Sequence, residues 1–195
     1  MESLKLILKL FLTPLLSVSI LFFTESSLFL YPLVFSIILS LSNYELFGFD
    51  LPIGIILGIV YSYIAFFVGF FGYGLFYKII ELIGITNDIT IGEWFYTDLA
   101  FCIAVFIIAP YLTMYLQKLL FKNTKTKLTY WIISITTLAF VLISFIHSDQ
   151  SVKIFFNIIN LWQLIIMFGL QIVINQKIIT EKLKSGNKKP AHNNV

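Results

Sequence analysis

Residues 51–77 contain no charged side chain. About 20 mostly apolar residues suffice for a helix to cross the hydrocarbon of a bilayer. In that solvent every backbone amide must be satisfied within the segment, which selects the helix. Five more apolar windows, at 6–23, 28–41, 95–120, 130–146 and 154–174, repeat the pattern. Polar clusters at 24–27, 43–50, 81–93, 121–129 and 147–153 separate them. The expected fold is therefore an all-α integral membrane protein with six transmembrane helices. Windows 6–23 and 28–41 are short and carry Pro14 and Pro32. For them a re-entrant N-terminal hairpin, leaving four full spans, is the alternative. Residues 1–184 form one polytopic helical membrane domain, and the Lys- and Asn-rich 185–195 a disordered cytoplasmic tail.

Charge is sparse, at 12% of residues against 59% hydrophobic, where a soluble domain carries about 25% charge. Its placement sets orientation, because lysine and arginine are retained on the cytoplasmic side. With both termini inside, Lys5, Lys9, Lys118, Lys122, Lys125, Lys127, Lys177, Lys182, Lys184, Lys188 and Lys189 all lie inside, and only Lys78 and Lys153 outside. This N-in/C-in arrangement gives a multi-pass protein of a bacterial cytoplasmic (inner) membrane, with the lipid bilayer as its first partner. The two inner lysine groups, at 118–127 and 177–189, would also attract anionic lipid, at about 1 kcal/mol per residue.

The basic residues contain no arginine, so the bidentate fork that grips phosphate is missing. Nucleic acid is excluded as a partner on this ground. No acid, lysine or histidine sits near the middle of a window, which disfavours proton relays and transport through a buried carboxylate. Enzyme signatures are missing too: there is no H-E-x-x-H, no G-x-S-x-G and no pair of mid-membrane aspartates. Cys102 has no histidine at its own depth, and two histidines, His147 and His192, do not build a metal site. The outer acids Glu81, Asp88, Glu93 and Asp98, with His147 and Asp149, lack clustered ligand spacing. No catalytic residue, metal or cofactor is expected.

What remains inside the windows is small or amide. Gly54, Gly58, Ser62, Ala65, Gly69 and Gly72 fall on one helical stripe, including a G-x-x-x-G step. Small residues let a second helix approach closely, and such packing drives association in lipid. The seam serves either a helix of the same chain or a second copy or another membrane subunit. Asn157, Asn160, Gln163, Gln171 and Asn175 form an amide stripe roughly 27 Å long on the last window. Amides do not face lipid, so they either bond neighbouring helices or line a polar path for a small neutral solute. In the 95–120 window, Pro110 frees the Phe106 carbonyl and bends the helix. Two functions follow: a non-catalytic accessory or interaction subunit acting through helix association, or a solute-binding or permeating transport subunit. A membrane enzyme ranks third.

Overall fold

The computed structural model describes residues 2–23, 28–82, 100–146 and 158–186. Among these the chain is helical and holds no strand. Its helices are α1 (Glu2–Phe23), α2 (Tyr31–Ser42), α3 (Leu51–Leu82), α4 (Ala109–Lys118), α5 (Lys127–Ile146) and α6 (Ile158–Gly186). A π-helical segment, Cys102–Ile108, runs directly into α4. Six apolar windows thus become six helical segments.

Three of these are long and apolar enough to cross a membrane: Leu4–Phe23, Leu51–Leu82 and Ile158–Lys184. Pro14 lies inside α1 without ending it. Pro32 behaves differently from an interruption, because it occupies the first turn of α2, where its missing N–H has no intrahelical partner to lose. The 12 residues of α2 rise only about 18 Å, well short of a bilayer. The N-terminal pair therefore combines one helix of spanning length with one short helix. The last helix runs well past the apolar window, and its end at Gly186 takes in the first two residues assigned to the tail; residues 187–195 lie outside the described residues.

Helix α6 is the centre of the bundle. Of its most apolar window 61% is buried, against 28% for α1 and for α3. It packs against α1, α5, α4 and α2, while α3 packs against α2, α4 and the π segment. Phe35, Leu39, Met114, Ile133, Phe140, Ile166, Met167 and Leu170 fill the shared core. The outer faces of α1 and α3 are lined with exposed Leu, Ile and Phe, as a bilayer-facing surface requires.

At one end of the bundle, the connection after α2 meets the connection after α4. Gly48 N–H donates to the Leu120 carbonyl at 2.8 Å, and Lys122 N–H to that of Leu46 at 2.9 Å. The Phe47 and Phe121 rings stack at 4.9 Å beside these bonds. Asn123 takes φ 61°, a left-handed turn that asparagine tolerates. Its carbonyl then accepts a 2.8 Å bond from Gln176 Nε2 on α6.

Glycine spacing sets how closely the helices approach. A Cβ at Gly69 would lie 2.8 Å from Ala109 Cβ, and one at Gly169 would lie 2.5 Å from the Thr136 side chain. A Cβ at Gly74 would meet nothing within 4 Å. Gly69→Val should therefore lower the thermal unfolding midpoint, at about 1–3 kcal/mol for overpacking. Gly74→Ala should leave it unchanged or raise it, since alanine is the better helix former by about 0.8–1 kcal/mol. Circular-dichroism melts of the two variants check the contrast, and equal melting would refute it.

Candidate functional site

A buried polar knot forms around Gly58, where the absent side chain exposes a backbone carbonyl to two other helices. Ser36 on α2 donates toward that carbonyl at 2.9 Å, and Gln117 Nε2 on α4 donates to it at 2.8 Å. Ser62, one turn along α3, shares a 2.6 Å hydrogen bond with the Ser36 hydroxyl and accepts from Gln117 Nε2 at 2.7 Å. Ser36, Ser62 and Gln117 are all buried. An unpaired amide at such a site costs several kcal/mol, so the knot fixes α2, α3 and α4 in one register.

The small-residue seam is the face of α3 that carries this knot. Gly54, Gly58, Ser62, Ala65 and Gly69 are buried and Gly72 is half-buried. Their neighbours belong to the same chain: Phe47 at Gly54, Ser40 and Leu120 at Gly58, Ala109 at Gly69 and Ala104 at Gly72. This face is covered by α2, the π segment and α4, so it is not open to a second copy.

The amide stripe is buried in the same manner. Asn160 accepts from the Tyr31 hydroxyl at 2.9 Å, and Gln163 Nε2 donates to Ser17 Oγ on α1. Asn175 Nδ2 donates to the Gln171 carbonyl at 2.9 Å and reaches Asn43 Oδ1 at 3.3 Å. Asn157 lies outside the described residues. Gln176, one residue beyond the stripe, bonds Thr129 as well as the Asn123 carbonyl, a role its position off the stripe concealed.

Above the knot the helices diverge around a cavity of about 450 Å³. Tyr31, Phe35, Phe70, Tyr73, Phe106 and Trp162 are among the rings of its wall, with Ser62 and Thr113 at the end nearest the knot. None of its lining residues among those described is charged. None of Asn160, Gln163, Gln171 and Asn175 lines it; the polar stripe and the cavity are separate features. Its volume falls within the roughly 300–1,000 Å³ of small-molecule sites, which are mostly apolar with a few placed polar groups.

Pro110 explains one wall. Its ring and missing N–H disrupt the α-helical bond to Phe106, and the backbone upstream widens, so that the Ala109 N–H donates to the Ala104 carbonyl. The expected bend is thus a π-helical turn, and it presents Val105 and Phe106 to the cavity together. Thr113 adds a 2.7 Å bond to the Ala109 carbonyl.

No protein-family model matches the chain, and no significant match appears among curated proteins or solved structures. The chemistry of the site rests on its own residues.

Among the described residues no group of His, Cys, Asp and Glu is placed to hold a metal ion. Asp88, Glu93, Asp98, His147 and Asp149 lie outside those residues, while Glu81 is exposed and pairs with Lys78 at 2.7 Å. Lys118 departs from its expected place in a surface lysine group. It is 1% exposed, with Nζ 3.6 Å above the Tyr130 ring centroid and 4.5 Å from that of Tyr115. The aromatic faces offer the cation its attraction, and Nζ has no hydrogen-bond partner among the described residues. Lys122, Lys125 and Lys127 are exposed. An anionic-lipid contact at this end would therefore use those three. The sequence signal was available in Tyr115 and Tyr130, but tyrosines near a membrane end read equally well as an aromatic belt.

Treating the intact protein with a water-soluble amine-acetylating reagent should modify Lys122 and Lys125 and leave Lys118 unmodified. Peptide mass spectrometry reads the sites, and acetylation of Lys118 at the same rate would contradict the cage.

Proposed function

We propose that the chain is a non-catalytic multi-pass membrane protein that holds a small, neutral, largely apolar molecule inside its helix bundle, as the binding or permeating subunit of a transport system. The carrying observation is the 450 Å³ aromatic cavity, whose described lining residues include no charged side chain. A charged ligand would lose its hydration there and find no counter-ion. An apolar or aromatic one would exchange lipid for close contact with rings, which prefer tilted and edge-on partners. Phe35 and Trp162 already stand 5.8 Å apart at 42°.

The lysine distribution supports an N-in/C-in arrangement in a bacterial inner membrane, with the cavity in the half of the bundle away from the lysine-rich end. An accessory role through association would have to use another surface than the small-residue seam, such as the exposed ridge of Ile64, Phe67 and Phe71 on α3.

Binding is testable with 1-aminoanthracene, a neutral fluorophore that brightens in apolar sites. Protein reconstituted in nanodiscs should give a saturable signal above that of empty discs. Val105→Trp, which places an indole into the cavity wall, should remove the saturable component while the helical spectrum stays. A saturable signal unchanged by this substitution would place binding elsewhere, and no saturable signal in the wild type would reject the reading.

A further inference from the structure

Three hydroxyls in the cavity wall have already spent their protons. Thr113 donates to the Ala109 carbonyl at 2.7 Å, and Tyr31 donates to Asn160 Oδ1 at 2.9 Å. Ser62 is committed through its neighbour. Ser36 has one proton and stands 2.8 Å from the Pro32 carbonyl and 2.9 Å from that of Gly58, so its oxygen takes the Ser62 proton at 2.6 Å. Gln117 Nε2 then fills one lone pair of Ser62 Oγ. What these hydroxyls still offer the cavity is lone pairs. The other polar hydrogens among the described lining residues, on Tyr73 and Trp162, belong to half-buried side chains. Tyr73 stands roughly 16 Å further along α3 than Ser62.

Ala109 and Thr113, one turn apart on α4, both line the cavity, and the hydroxyl that bridges them runs along that wall. Thr113 is 2% exposed, so a group that meets its oxygen has left water behind. A buried acceptor rewards a ligand that brings a proton and penalises one that brings only another lone pair. From this we propose that Thr113 is the specificity-determining residue of the cavity, and that its ligand is a flat, neutral, apolar molecule whose one polar group is a hydrogen-bond donor of the phenol or aryl-amine type. The inference rests on the cavity-binding reading above and names its ligand class. Donation to the Ala109 carbonyl polarises the Thr113 hydroxyl and makes its oxygen the better acceptor. A ketone or an ether finds no such match at this end.

The test displaces 1-aminoanthracene from protein in nanodiscs with 1-naphthol and with 1-methoxynaphthalene, which keeps the oxygen and lacks the proton. Concentrations are expressed in the lipid phase, from the partition of each compound into empty discs. Wild-type protein should prefer 1-naphthol by about threefold to tenfold, the worth of one net hydrogen bond. Thr113→Val, which keeps the shape of the side chain, should bring the two compounds to near parity while 1-methoxynaphthalene binds as before. Thr113→Ser, which keeps the hydroxyl, should retain the preference. The wild-type comparison decides by itself if Thr113→Val fails to fold. Equal displacement by the two compounds in the wild type, or a preference that survives Thr113→Val, would overturn the assignment and leave cavity binding standing. No saturable 1-aminoanthracene signal in the wild type would overturn both.

Discussion

One carbonyl organises this bundle. Gly58 carries no side chain, so Ser36 from α2 and Gln117 from α4 reach its backbone oxygen at 2.9 and 2.8 Å. In an apolar interior, helices slide past one another with little penalty unless something fixes their register, because lipid and side chain are equally apolar. A buried hydrogen-bond knot does fix it, since any slip leaves several groups unpaired at once. Each bond contributes only about 0.6 kcal/mol in membrane proteins on average, so uniqueness rather than bulk stability is the gain. The close approach at Gly69 to Ala109 follows from the same register, about three turns further along the same face.

The same register makes the cavity. Where α3 carries glycine, serine and alanine, its neighbours close onto it. Beyond the knot, Phe66, Phe70 and Tyr73 on α3 line the cavity together with Phe101 and Phe106. Small residues thus seal one face of α3 as far as Gly69 and Gly72, and the rings beside them wall the cavity. The cavity therefore has a polar end at Ser62 and Thr113 and an apolar, ring-lined wall.

Much of this was written in the sequence in a form that helical geometry decodes. The 3.6-residue period placed Gly54, Gly58, Ser62, Ala65, Gly69 and Gly72 on one face because small size and periodicity together leave a strong mark. The start of α3 at Leu51 was marked by the polar cluster ending at Asp50, and the end of α5 at Ile146 by the polar residues after it. What stayed hidden depended on pairing between distant segments. Nothing local told that Ser36, Ser62 and Gln117, far apart in the chain, share one carbonyl. Lys118 was hidden for the opposite reason: a lysine beside Lys122 and Lys125 has the local pattern of a surface charge, and only the packing of Tyr130 across from it reverses that. Pro110 announced a disturbance but not its form, because a kink and a widened turn both release the Phe106 carbonyl.

That widened turn has a further consequence. A π-helical stretch holds one residue more than the α-helix it replaces, so the face presented by everything upstream depends on residue number as well as residue type. Removing a single residue between Cys102 and Ile108 would let the segment tighten to α-helical geometry and rotate Phe101 by about 100° relative to α4. The composition of the wall would be nearly unchanged, yet its rings would point elsewhere. The shape of the cavity is in this sense an arithmetic property of the chain, and an insertion or deletion here would redraw it more completely than most substitutions.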